Sequence, residues 1–485
     1  MAGIRKDIAK LSGPWAPELW WYARAVAGVR QRDANDRKGW RYLAAIHGIN
    51  IPGWVSQGII GSASDLPSQG EQDAIFNQCQ HAGWFFPPWH RGYLAAFEAI
   101  LDEWIQDNGG PSDWALPYWN YLNASANNAR DIPQEFLDPT LPDGTPNALS
   151  DAARGGASTL GPQPWLPRDI TLAAQTARAV YTAAPGTLGY GGAISGFAHQ
   201  GDLTGALEGN PHNLVHVMLG GPGDGWMSDP DFAALDPIFW MHHGNIDRLW
   251  EAWMSDGAHS QELGGAWQNG PFPQQFLMPN LAGGADVFTP GQTLPGGPLA
   301  PVYDDIHDGT GIVAPVVLAL GAGMSVTPSS SGTAGPSALA GANDAAISVA
   351  GEAVAVTVPI RTAASSSVAG FALPTEPQVF VNLEGVRGKS ASGVLEIYLK
   401  IPAADGAAPT VELADTLVFF GLAKASVPQG RHAGNGLTMA ADITDIVNKA
   451  HADLGVTLSE IEVELRQPGE YSGEITVDRV SIFYQ

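Results

Sequence analysis

From Trp89 to Trp104 the apolar residues Leu94, Phe97, Leu101 and Trp104 recur at three- and four-residue intervals, the spacing of one face of an amphipathic helix. His90 opens that helix. Trp40 to His47, with Gly48 as a stop, predicts another helix, one that ends on a histidine. In N-P-H-N-L-V-H-V-M-L-G-G, Pro211 precedes and Gly220 ends a short helix. His212 and His216 are four apart on it and so project from one face. A further helix starts near Pro237 and runs through P-I-F-W-M-H-H-G-N-I-D-R-L-W-E-A-W-M.

The pattern changes near residue 321. The stretch 321–347 is rich in Ser, Gly, Ala, Thr and Pro, a composition that cannot bury enough apolar area to hold a core and reads as a linker. Beyond it come V-A-V-T-V-P-I, V-F-V-N-L, V-L-E-I-Y-L, T-L-V-F-F, I-E-V-E-L and V-S-I-F-Y, alternating or β-branched and separated by Gly, Pro and Asp turns. The expected organisation is a mainly α domain over 1–320, the linker, and an antiparallel β-sandwich over 348–485. A chain of 485 residues is long enough for two such cores.

The charge narrows the classes of partner. With 24 Lys and Arg against 49 Asp and Glu the net charge is -25, which argues against nucleic acid and anionic membranes. The longest apolar stretch, Gly311 to Met324, is interrupted by Pro315 and is shorter than the roughly 20 residues a membrane span needs. The opening M-A-G-I-R-K-D-I-A-K-L-S has no apolar signal core and no twin-arginine pair. The expectation is a soluble protein, cytoplasmic or exported without a recognisable signal. Homo-oligomerisation is left open. With Cys79 the only cysteine, no intrachain disulfide can form.

The candidate chemistry lies in the histidines. Of 12, seven fall in four clusters: His47, His81 with His90, His212 with His216, and His242 with His243. A lone histidine more often satisfies a hydrogen bond than a metal, but an i, i+4 pair joined by histidines on other helices can present imidazoles to common points. Six would serve two metals. Imidazole alone suits copper, zinc or iron, and iron is disfavoured because no paired E-x-x-H motif accompanies the cluster.

Two segments resemble the tyrosinases and polyphenol oxidases, the type 3 copper proteins: C-Q-H-A-G-W-F-F-P-P-W-H-R-G-Y-L-A-A-F-E, and P-H-N-L-V-H followed by D-P-I-F-W-M-H-H-G-N-I-D-R-L-W. The resemblance covers most of the first 250 or so residues and implies a four-helix-bundle dicopper core. It assigns one copper to His47, His81 and His90 and the other to His212, His216 and His243, two copper ions per chain, with O2 as co-substrate and small phenols as substrates. It makes His242 a neighbour of the site, in a packing or hydrogen-bonding role or in contact with the substrate, sets Trp226 over the substrate pocket, makes Cys79-x-His81 a candidate thioether, and gives Glu208 and Asn213 a water able to take the phenol proton. Arg91, Glu98, Asn245, Asp247 and Arg248 also match the two motifs, Asp247 and Arg248 as a structural ion pair between helices. The β-domain resembles, more weakly, one that covers the copper site in relatives, and a purely stabilising role is the alternative.

The activity implied is ortho-hydroxylation of monophenols and oxidation of o-diphenols to o-quinones. Oxidation of catechols or o-aminophenols alone is the nearest alternative. An oxygen carrier of haemocyanin type is disfavoured by Glu208, Asn213 and the single copper domain.

Overall fold

The computed structural model describes residues 3–155, 173–197, 203–312, 337–360, 378–402, 408–428, 434–454 and 458–485, apart from positions 124, 127, 224, 470 and 472. The first part is helical: α1 (Pro17–Arg30), α2 (Trp40–His47), α3 (Ile51–Ser56), α4 (Gln69–Ile75), α5 (Phe86–Asp107), α6 (Ala173–Ala177), α7 (Leu214–Gly220), α8 (Pro237–Ser255) and α9 (Gly265–Gln268). A hairpin of β1 (Phe276–Pro279) and β2 (Ala285–Phe288) follows. No described helix is long and apolar enough to cross a membrane.

α5 begins with Pro87 and Pro88 in its first turn, where a missing N–H costs nothing. α8 begins with Pro237 after Asp236, whose carboxylate caps the Ile238 N–H. Phe97 of α5 is the meeting point of the helices. It stacks on Trp240 of α8 with centroids 3.5 Å apart and meets Trp40 of α2 and Tyr22 of α1 edge-on at 5.9 and 6.5 Å. Burying each such ring contributes about 1.5–3 kcal/mol.

The later part is β-rich. One antiparallel sheet has the order β5 (Val354–Pro359), β10 (Glu460–Arg466), β7 (Ser392–Ile401), β8 (Thr410–Phe420). The other has β3 (Ala338–Ala342), β12 (Arg479–Tyr484), β6 (Val379–Gly388), β11 (Ile475–Val477), β4 (Ile347–Val349), with β9 (Leu437–Asp442) also on β6. Their inward residues, among them Leu395, Ile397 and Val463 from one sheet and Val381, Leu383 and Ile482 from the other, form one core. Two helices, α10 (Leu422–Ser426) and α11 (Thr444–Leu454), complete this part. β3 and the start of β4 lie inside the stretch 321–347 expected to be linker, because Ala338–Ala342 adds to the edge of the sheet beside β12. Most of the rest of that stretch lies outside the described residues.

β8 belongs to both cores. Leu417 and Phe419 face the β-core, while Val418 and Phe420 join the helical core, the two-residue alternation of a strand buried on both faces. Gly421, at φ 77°, turns the chain directly after Phe420 into α10. There Lys424 forms an ion pair with Asp231 and donates to Asn77 Oδ1 at 3.1 Å. Arg178 pairs with Asp442 at 2.5 Å, and Asn382 Nδ2 donates to the Gly186 carbonyl at 3.1 Å. The two parts are thus joined by strand packing, ion pairs and hydrogen bonds.

Candidate metal centre

His47 is the last residue of α2, and His90 lies in the opening turns of α5. His81 comes from the loop between Phe76 and Phe86, which α2 holds in place: Asn77 and Gln78 donate to the carbonyls of Ala45 and Ile46 at 3.0 and 2.8 Å. The three rings form a near-equilateral set, with centroids 5.6 Å (His47 to His81), 5.6 Å (His81 to His90) and 5.8 Å (His47 to His90) apart. Beside them, His212, His216 and His243 form a tighter set at 4.5, 4.9 and 5.4 Å. The sets adjoin, with His90 stacked on His243 at 4.6 Å. Ligand atoms of His47, Cys79, His81 and His90 lie within 4.8 Å of one another, as do those of His212, His216, His242 and His243.

The tight spacing has a local cause that differs from the expected helix. Glu208–Asn213 forms a wide turn with Asn210 in extended conformation, and α7 starts only at Leu214. Pro211 has no N–H to continue a helix backwards, so His212 precedes α7 rather than standing on it. Its ring still meets that of His216.

The residues fit a pair of imidazole-bound metals. The Nδ1 atoms of His47, His90 and His216 meet the carbonyls of Pro230, Phe86 and Met227 at 2.9, 2.8 and 2.8 Å, and His212 Nδ1 meets Asn213 Oδ1 at 2.9 Å. Such bonds place the proton on Nδ1 and leave the Nε2 lone pair for a metal. The Nε2 atoms of His47 and His212 are buried with no partner, an arrangement that costs free energy unless a ligand completes it. Burial, reinforced in His47, His212 and His243 by neighbouring imidazoles, holds all three far below the usual histidine range. Burial brings His90 and His216 down to about 3. They are neutral and able to ligate.

Cys79 Sγ lies 3.5 Å from both ring nitrogens of His81 and 3.3 Å from His90 Nε2. Equal distances to the two nitrogens place the sulfur symmetrically about the ring carbon between them. Glu208 is buried, and both of its carboxylate oxygens accept from the Ala82 N–H, at 2.9 and 2.8 Å. Burial pushes its pKa up to about 8 against that hydrogen bond. Ala82 follows His81 and has φ 49°, so Glu208 stabilises a left-handed residue next to His81. Asn213 reaches His212 through Oδ1 and the Val418 carbonyl through Nδ2 at 3.4 Å.

Asp247 joins α8 to α5 through Arg91 at 2.5 Å and also meets Arg5 at 3.1 Å. Arg248 does not pair with Asp247 as expected; adjacent helix residues diverge, and its guanidinium donates to Asn245 Oδ1 and to the carbonyls of Asp305 and Asp308. Glu98 pairs with Arg5. Trp226 Nε1 donates to Gln57 Oε1 at 2.7 Å. A ring found over the histidines is Phe420, stacked on His216 at 4.3 Å and edge-on to His81 and His212 at 5.7 and 5.8 Å. Sequence reasoning passed over Phe420; the signal was the unbroken apolar run L-V-F-F, which a strand buried on both faces would show.

A family model described as the common central domain of tyrosinase matches residues 37–256, and a model of a domain of unknown function matches 336–485. A tyrosinase of Hahella sp. (strain CCB-MM4) is 32% identical over 484 residues, 96% of each chain. The latent chloroplastic polyphenol oxidase of Prunus armeniaca is 31% identical over 196 residues, covering 38% of this chain and 31% of its own. Among solved structures, latent apple tyrosinase superposes with a TM-score of 0.63 at 17% identity, covering 100% of this chain and 98% of its own.

Proposed function

The chain belongs to the tyrosinase and polyphenol oxidase family, and on that premise we propose that it hydroxylates monophenols at the ortho position and oxidises the resulting diphenols to o-quinones with O2. The family oxidises phenols at a type 3 dicopper centre, and the two adjoining histidine triads carry the assignment here. His47, His81 and His90 would hold one copper and His212, His216 and His243 the other. Copper bound there supplies the electrons that O2 takes up. The chain's own groups hold imidazoles neutral and oriented, exclude water and accept a proton.

The proton acceptor proposed is Glu208. A phenol has an ordinary pKa of about 10, so little phenolate forms at neutral pH without a base. A carboxylate in a buried site, near neutral in its own pKa, is matched to that transfer. Asn213, beside His212, would steer a water between phenol and Glu208. That its amide is already engaged by His212 and Val418 favours the second reading, an enzyme restricted to catechols. Trp226, next to the Met227 whose carbonyl anchors His216, would form the rim of the pocket.

The domain division proposed is a four-helix dicopper core through about residue 320 and a β-sandwich that begins with β3. Phe420, stacked on His216, would take the place of a phenol ring there, so the sandwich would restrain the enzyme. Oxygen uptake by copper-loaded protein with a monophenol, a catechol and an o-aminophenol tests both claims, in the wild type and in Phe420→Ala. Uptake with the monophenol, faster in the variant for bulky phenols, is expected. Uptake with catechol alone in both would establish the restricted reading.

A further inference from the structure

Two stretches outside the histidines hold the first triad in place, and one side chain of the β-part bonds both; the inference drawn from this rests on the dicopper reading above. Asn77 is the first stretch. It adopts φ 53°, a left-handed conformation that asparagine tolerates better than most residues, at the start of the loop that carries Cys79 and His81. Its N–H donates to the Ala45 carbonyl at 3.0 Å and its Oδ1 accepts from the Ile49 N–H at 3.1 Å, two points that bracket His47. The second stretch is Pro230–Asp231. The Pro230 carbonyl meets His47 Nδ1 at 2.9 Å, and the Asp231 carbonyl accepts from the Trp54 indole N–H at 2.7 Å. A Cβ at Gly48 would strike the Pro230 carbonyl, so the glycine after His47 lets the two segments touch.

Lys424 spans both stretches. Its ammonium pairs with Asp231 Oδ1 and donates to Asn77 Oδ1 at 3.1 Å. The Lys424 and Asp231 side chains are only 18% and 13% exposed, so salt screens this pair less than one on the surface. α10 presents the lysine from a fixed base. Leu422 and Ala425 of that helix are buried in the β-core, and the Leu422 and Ala423 N–H groups donate to the Ala391 and Ser390 carbonyls at 2.8 and 3.0 Å. The second triad is anchored by other groups: His216 by the Met227 carbonyl, and His212 by Asn213, which reaches the Val418 carbonyl at 3.4 Å. None of these bonds involves Lys424.

We propose that Lys424 is a positioning residue of the first metal site. By holding Asp231 and Asn77 together it fixes His47 and the loop of His81 in the arrangement that takes an ion, so the β-part completes that site and does not only cover it. The ion pair of Arg178 with Asp442 supplies a control, because it joins the same two parts but bonds neither Asn77 nor Asp231.

The test titrates reduced, copper-loaded full-length protein under argon with the cuprous chelator bicinchoninate and follows copper release by absorption. In Lys424→Met one of the two ions should be bound about tenfold more weakly, the low end of the effect usual for groups that orient ligands, and the other as in the wild type. Lys424→Arg, whose guanidinium can meet both acceptors, should restore the affinity, and Arg178→Met should leave both ions as tightly held as before. Added to His47→Ala, in which only the second triad is intact, Lys424→Met should change nothing. Asp231→Asn keeps the backbone bonds but removes the charge partner; it should weaken the same ion, with little further loss when combined with Lys424→Met. Both ions weakened alike in Lys424→Met, or an effect that persists beside His47→Ala, would make Lys424 a general fastener of the two parts and overturns the inference. Wild-type affinity for both ions in Asp231→Asn overturns it even if Lys424→Met fails to fold. These results in a protein whose wild type binds two coppers defeat this inference alone, whereas a wild type that does not bind two defeats the dicopper reading.

Discussion

His212, His216 and His243 stand on one turn and two adjoining helices, whereas His47, His81 and His90 come from a helix end, a loop and a helix start. Within the second triad His212 and His216 are neighbours in sequence, and His243 joins them from α8. In the first, His81 is held by residues far along the chain: Glu208 fixes Ala82, Lys424 of the β-part fixes Asn77, and Pro230 orients His47. Equal chemistry is thus built once from local structure and once from tertiary contacts. The first triad should be the more dependent on the rest of the molecule.

The largest effect comes from removing a ligand. His216→Ala and His47→Ala should each lower copper from about two to about one per chain and abolish turnover, since each ion needs its own three imidazoles. Metal analysis checks this; a variant that loses both ions would show that the triads form one cooperative unit. Next is Glu208→Gln, which keeps size but removes the proposed proton acceptor. Monophenol hydroxylation should fall roughly 100- to 10,000-fold with catechol oxidation much less affected. If both fall together and copper leaves the first triad, then Glu208 acts through Ala82 and the asymmetry between the triads is sharper still.

Cys79→Ser should weaken the first copper about 10- to 100-fold, the size of effect usual for groups that orient ligands, and spare the second. In the copper- and O2-matured wild type we expect a sulfur–carbon bond between Cys79 and His81, formed with loss of the thiol and ring hydrogens to O2, and intact mass spectrometry should find the chain about two mass units light. Ready alkylation of Cys79 in unfolded, matured protein would show that no such bond forms. The smallest difference between the triads should appear in acid. His90 and His216 both have folded values near 3 against an ordinary 6.5, so the stability gained from neutral imidazoles is full above pH 6.5 and is lost as pH falls toward 3. Copper retention followed by absorption should decline in that window for both ions, and a clear separation of the two would mean that another group governs one site.

Much of this was legible in the sequence. The spacing of Leu94, Phe97 and Leu101 marks α5, Gly48 marks the end of α2, and the alternation in V-L-E-I-Y-L marks β7, because these elements are dictated by periodicity and stop residues. The short helix around His212 was less so, since Asn210 and Pro211 trade helix for a wide turn. The edge strand Ala338–Ala342 was hidden in a small-residue segment whose partner, β12, lies about 140 residues away, a pairing that no local propensity encodes.

The sequence by itself determined which residue types meet a metal: histidines at helix ends and at i, i+4, a cysteine two residues from one of them, and a buried-strand run in the β-part. Only the tertiary structure decided how they are used. It brought Phe420 over His216, set Lys424 against Asp231, and turned Glu208 toward the Ala82 N–H. It also gave His242 the Tyr121 hydroxyl as its neighbour. Ligand identity follows from the chemistry of side chains, which a sequence states outright. Protonation, orientation and access depend on burial and on donors brought in from distant segments, and those exist only once the chain has packed.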